Sequence, residues 1–147
     1  MLDENDVVDL VCSCLVKRGF QIKQKLDASQ QGIDIIAESS DKKFEYLIEA
    51  KGETSSRPGS ERFEKPFNAN QVHSHVAKGF YKGAELYSEY HSDKSKVIIL
   101  AFPDTSHFRK YTGRIKSSLD SLGIRVLWVN EIGVMNEETF KPIDGGE

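Results

Sequence analysis

The sequence predicts an α/β domain, a mixed central β-sheet flanked by helices in the order αβββαβαβ. Three observations carry that expectation. Apolar residues recur at helical spacing from about Asn5 to Arg18 and again from near Asn68 to Tyr90. Two segments rich in Ile, Tyr and Phe, residues 33–38 and 44–51, flank the polar cluster Ser39-Ser40-Asp41-Lys42-Lys43 and read as a β-hairpin. A buried-type run from Val97 to Phe102 is followed by a helical stretch and then by another strand-like run.

Val7, Val8, Val11, Cys14 and Leu15 form the stripe of the first helix, and Gly19 stops it. Phe20 to Leu26 alternates as a strand and turns at 27–32. The hairpin follows, and after Gly52 comes the longest loop, polar through Pro66; a loop of that length in a compact domain is usually functional or disordered. The second helix shows Val72, Val76, Phe80, Leu86, Tyr87 and Tyr90 on one side. After the 97–102 strand, one helix should run to about Leu122, where Gly123 closes it, and Ile124 to Val129 should be the last strand. The first three strands fit an antiparallel meander, and each later helix carries the chain to a parallel neighbour. Residues 1–130 then form the domain, and 131–147 a peripheral polar tail.

With 147 residues, 38% apolar and 29% charged, the chain is one globular domain's worth. No apolar run reaches membrane-spanning length, and the acidic start Met1-Leu2-Asp3-Glu4 lacks the basic region of a signal peptide, so the expected location is cytoplasmic, away from membranes. Cys12 and Cys14 lie two apart on a helix and point to different sides, which speaks against a mutual disulfide or metal pair and for buried thiols. The net charge of −3 counts against a general grip on nucleic acid. Charge is uneven, however: residues 73–116 hold eight Lys or Arg, four Asp or Glu and all four histidines. Both a basic face and ordinary solvated helix faces fit that distribution.

The hairpin carries the chemistry. If its loop is symmetric about the Asp41–Lys42 bond, Asp34 falls opposite Glu49, with Cβ atoms about 4.5–5.5 Å apart, a repulsive placement for like charges. Alternation puts Lys51 on the same face. A structural ion pair is the plain alternative, but one lysine cannot neutralise two carboxylates flanked by Ile35, Ile36, Leu47 and Ile48. A divalent cation would turn the liability into a site.

Gly32-Ile33-Asp34 followed by Glu49-Ala50-Lys51 resembles the Gly-x-Asp and (D/E)XK elements of the PD-(D/E)XK nuclease superfamily, in particular its Mrr-like and archaeal Holliday-junction-resolvase-like branches. The resemblance covers roughly residues 1–130 and implies a restriction-endonuclease-like fold. It also implies a nuclease dependent on Mg²⁺ or Mn²⁺ that hydrolyses DNA phosphodiester bonds and leaves a 5′-phosphate. Asp34, Glu49 and the Ala50 carbonyl would hold the cation, and Lys51 would orient the attacking water and stabilise growing charge. DNA is the implied partner; a resolvase-like member would be a homodimer, and a place in a larger nuclease assembly also fits. Two other functions stay open, a non-catalytic nucleic-acid-binding or interaction module of the same fold, and a nuclease directed at RNA.

Further residues join on weaker signals. Glu4 falls within about 20° of the centre of the first helix's apolar face, as would an acid reaching the metal site; placed at the helix start, it could equally favour the positive end of the dipole. Gln71 fits a residue lining the active site in the resembled branches, and with Asn68 it also has the form of a capping box. His75 is a weaker candidate one turn later. Arg57, Arg62 and Lys65 could meet substrate phosphates, diluted by Glu53, Glu61 and Glu64.

Overall fold

The computed structural model describes residues 1–55 and 65–140, so the expectations for Arg57 and Arg62 lie outside the described residues. Helix α1 spans Glu4–Lys17, strands β1, β2 and β3 span Gln21–Lys25, Ile35–Glu38 and Glu45–Ala50, and helix α2 spans Ala69–Tyr90. Then come β4 (Lys96–Pro103), α3 (Ser106–Arg114), α4 (Lys116–Leu122), β5 (Arg125–Asn130), β6 (Gly133–Val134) and a 3₁₀ turn at Glu137–Phe140. The six strands lie in sequence order in one mixed sheet. Pairings β1–β2, β2–β3 and β5–β6 are antiparallel, and β3–β4 and β4–β5 are parallel.

Alternation along each strand divides the apolar residues between two layers. On one face α1 sets Val7, Val8, Val11 and Leu15 against Ile35, Tyr46, Ile48, Ile99 and Leu127. On the other, α2, α3 and α4 set Val72, Val76, Leu86, Phe108 and Leu119 against Leu47, Ile98, Leu100 and Phe102. Helix α2 comes close because Gly79 and Gly83 face the sheet, where an added Cβ would lie 3.1 Å from the Phe102 ring and 3.2 Å from Ile124.

Two expectations are corrected. The helix anticipated to run to about Leu122 is two helices broken at Ile115, whose φ of −115° and ψ of 16° are not helical. The stretch 131–140 is part of the domain and no peripheral tail: β6 pairs with β5, and Phe140, 3% exposed, accepts the Tyr46 hydroxyl and packs near Phe20. Its short apolar content hid a role that depends on a distant aromatic cluster. Cys12 is buried as expected, whereas Cys14 is only half-buried.

Candidate active site

The hairpin register places the two carboxylates. Ile35 pairs with Ile48, Ile36 with Leu47, Ala37 with Tyr46 and Glu38 with Glu45, so Asp34 and Glu49 stand one rung beyond, facing each other as the loop symmetry predicts. Their face is that of Ile36 and Leu47, toward α2. Before the strand, Gly32 takes φ +130°, a conformation that favours glycine, while Gln24 Nε2 donates to the Ile33 carbonyl at 2.7 Å and the Leu26 amide to the Asp34 carbonyl at 2.8 Å. Asp34 thereby enters the sheet's end at a fixed height.

Asp34 is 5% exposed and Glu49 9% exposed. The Ala50 amide donates to Asp34 Oδ2 at 2.8 Å. Lys51 Nζ lies 3.4 Å from Glu49 Oε2, and Glu49 Oε1 is buried with no hydrogen-bond partner. Burial raises the Asp34 pKa against the Ala50 amide and the Lys51 charge, and it raises that of Glu49 with the Asp34 charge as second cause. An unsatisfied buried carboxylate oxygen is costly and is seldom retained without a use.

Glu4 reaches this end of the sheet through Gly52. The backbone of Asp3 and Glu4 crosses Gly52 so closely that a Cβ there would lie 2.4 Å from the Glu4 nitrogen. The Leu2 amide donates to Glu53 Oε2 at 2.9 Å and the Glu53 amide to the Leu2 carbonyl at 2.7 Å. Burial, then the Asp34 charge, pushes Glu4 up to about 7. The helix is capped by Asp3 with Asp6, so Glu4 is not needed as the cap. Glu4 acts on the pair by its charge; among the described residues no three His, Cys, Asp or Glu side chains are set to share a metal ion.

From α2, Gln71 is engaged in the capping box: its amide donates to Asn68 Oδ1 and its Oε1 accepts from the Asn68 amide, both at 2.9 Å. On that helix, His75 lies within electrostatic reach of Lys51. It stacks on Phe67 with ring centroids 4.5 Å apart, and its Nδ1 is buried without a partner. Burial, then the charges of Lys51 and Lys78, lowers its pKa to about 4, so the ring is neutral at physiological pH. Lys82, half-buried on the same helix, adds a weaker attraction for Asp34. The helical spacing of His75, Gly79 and Lys82 put them on one face, a signal present in the sequence. Lys65 is exposed.

The donor set fits a hard divalent cation. Such ions take oxygen ligands, and here two opposed carboxylates, one with an oxygen lacking any partner, flank the Ala50 main chain. Together these residues provide a buried, carboxylate-lined point with the Lys51 amine against it. Among the described residues, no helix is long and apolar enough to cross a membrane.

No family model matches the chain, and no curated protein matches it. Among solved structures, SfsA from Pyrococcus furiosus, in complex with Ca²⁺, is similar to it at a TM-score of 0.34 and 15% identity, covering 88% of this chain and 57% of that one. This chain thus spans less than two thirds of that protein's length, and a likeness at that level implies neither a shared fold nor a shared ligand.

Proposed function

We propose that this protein is a metal-dependent nuclease of the PD-(D/E)XK type that hydrolyses phosphodiester bonds in DNA on a restriction-endonuclease-like scaffold. The observation that carries the reading is the orphaned Glu49 Oε1 beside Asp34 and Lys51. The site holds a buried carboxylate oxygen that its neighbours leave unsatisfied, as a cation-binding centre does.

Asp34, Glu49 and the Ala50 carbonyl would hold Mg²⁺ or Mn²⁺, and Glu4 would deepen the negative potential. The ion, when bound, supplies Lewis-acid charge that polarises phosphoryl oxygens and makes water more acidic. The Ala50 amide occupies Asp34 Oδ2 and so fixes which oxygen stays available. Lys51 is a hydrogen-bond donor tethered to Glu49. It orients water and stabilises the charge that grows on the phosphoryl oxygens. His75, neutral and held by Phe67, adds a polar atom without adding a cation that would repel the metal. In the net reaction water adds across the P–O3′ bond: its oxygen joins phosphorus, its proton ends on the departing 3′-oxygen, and a 5′-phosphate remains.

The test is a cleavage assay of purified protein with Mg²⁺, Mn²⁺ or EDTA on single-stranded DNA, duplex DNA, a four-way junction and a structured RNA, alongside Asp34→Ala and Lys51→Ala. Metal-dependent cutting of DNA that both variants lose is the expected result. Cutting confined to RNA would move the substrate, and undiminished cutting by either variant would remove these residues from the mechanism. A folded protein that cuts nothing would point to a binding module.

A further inference from the structure

We propose that α3 and the adjoining part of β5 form a second surface, which binds single-stranded nucleic acid by stacking an unpaired base at Trp128. The inference names the form of substrate for the nuclease reading and rests on it only for the cutting; the surface stands on its own residues.

Helix α3 carries Arg109, Lys110 and Arg114 and no acid, and Lys116 opens the next helix; all four are exposed. In a chain of net charge −3 this is a local concentration of cations. Arg109 pairs with Asp104 at 2.7 Å and Lys116 with Asp120 at 2.9 Å, both at the surface. Exposed pairs of this kind are worth about 1 kcal/mol or less, so phosphate can replace the carboxylates at little cost.

Aromatic rings interleave with these charges. The Arg109 guanidinium lies 4.1 Å over the Trp128 ring, and Tyr111 is flanked by Lys110 at 5.4 Å and Arg114 at 5.2 Å. Cationic side chains beside stacking platforms are the combination that grips single strands, because a phosphate and an exposed base face are met together. Beside Trp128 lies a cavity of about 320 Å³ also lined by Arg109, Thr112 and Lys116. That volume is in the range of small-ligand sites. Thr112 is 5% exposed, and its hydroxyl is buried behind the wall without a hydrogen-bond partner. A duplex keeps its base faces covered, so only unpaired bases can use such a platform.

The sheet connects the two surfaces. Phe102 is in register with Trp128, and the Lys51 amide donates to the Ala101 carbonyl at 3.0 Å, so Lys51, Phe102 and Trp128 form one row across β3, β4 and β5. Two strand spacings separate the ends of that row, roughly 10 Å. Phe102 itself is buried under α2, so the row fixes the spacing of the two surfaces and is not an open path between them.

Trp128 is the chain's one tryptophan, so its fluorescence reports on this surface alone. The full chain in EDTA would be titrated with oligo(dT), with a hairpin duplex of equal length and with inorganic polyphosphate. The expected result is saturable quenching by oligo(dT), with weaker binding of the duplex and no comparable quenching by polyphosphate. The double variant Arg109→Gln/Lys116→Gln should bind oligo(dT) more weakly, and the slope of log affinity against log salt should become shallower by about 1.4, at about 0.7 per lost phosphate contact. Absence of quenching, equal quenching by polyphosphate, equal or tighter duplex binding, or an unchanged double variant would each overturn the proposal. Because EDTA removes metal-dependent cutting, the titration reads binding alone, and the same oligonucleotides are then incubated with Mg²⁺ or Mn²⁺. Quenching in EDTA with no cutting in metal would end the nuclease reading and keep this one, and cutting in metal without quenching in EDTA would do the reverse.

Discussion

Glu45 and Glu49 occupy the same strand and the same face, four residues apart, in opposite electrostatic surroundings. At the start of β3, Glu45 accepts from both Lys96 and Lys23, two cations to one carboxylate, and the Lys96 bond above all holds its pKa low. At the other end, Glu49 meets Lys51 but also the charges of Asp34 and Glu4, keeps an oxygen with no partner, and has its pKa raised by burial. A carboxylate that ties a sheet together is met by all the charge it needs. One that is held short of that charge is better suited to bind something that brings it.

Exchanging each glutamate for glutamine tests the contrast most severely. Glu49→Gln should lower metal-dependent cleavage by roughly 10²–10³-fold, the scale of losing a main electrostatic contributor to a reacting centre, while Glu45→Gln should cut like the wild type. Equal losses in rate assays on the two variants would break the comparison. Next in size is Gly52→Ala, whose new methyl would sit on the Glu4 backbone. Overpacking of that kind costs about 1–3 kcal/mol, to be read from denaturant melts. An unchanged midpoint would show that the start of α1 retreats freely and that Glu4 is not fixed at the site.

The same two glutamine variants should shift stability in opposite directions. Without metal, Glu49→Gln should raise the melting temperature by relieving a buried charge, and Glu45→Gln should lower stability by about 1 kcal/mol or less, as for a half-exposed ion pair. Calorimetry giving shifts of the same sign would remove the electrostatic distinction. The smallest effect concerns pH. Glu4 rises from its ordinary 4.5 to about 7 in the fold, so between those values the folded protein keeps a proton that the unfolded chain has released. Its contribution therefore favours the fold at low pH and is lost as pH rises through that window. Melting in EDTA at about pH 5 and about pH 8 should show a steeper loss for the wild type than for Glu4→Gln; parallel slopes would place Glu4 in ordinary solvent.

Much of the site was legible because it is local. A two-residue period and a loop of fixed symmetry put Asp34, Glu49 and Lys51 on one face, and the observed register agrees rung by rung. Gln71 shows the opposite case. Its spacing from Asn68 supported both a cap and a site residue, and both capping bonds form. His75, given less weight, is the ring that feels the Lys51 charge, because Gly79 lets α2 settle against Phe102 and brings that helical face down to the sheet. The break at Ile115 and the docking of Phe140 were not legible, since a helix's continuity and a lone aromatic's burial depend on distant partners.

By itself, then, the sequence determined the α/β class, the hairpin register and the acid, acid, amine grouping, the last two being consequences of backbone periodicity over a few residues. Only the tertiary structure decided how strongly that grouping is charged, which helix faces meet it and where Trp128 stands in its row. Those properties depend on burial and on contacts between segments that are far apart in the chain but adjacent in the sheet.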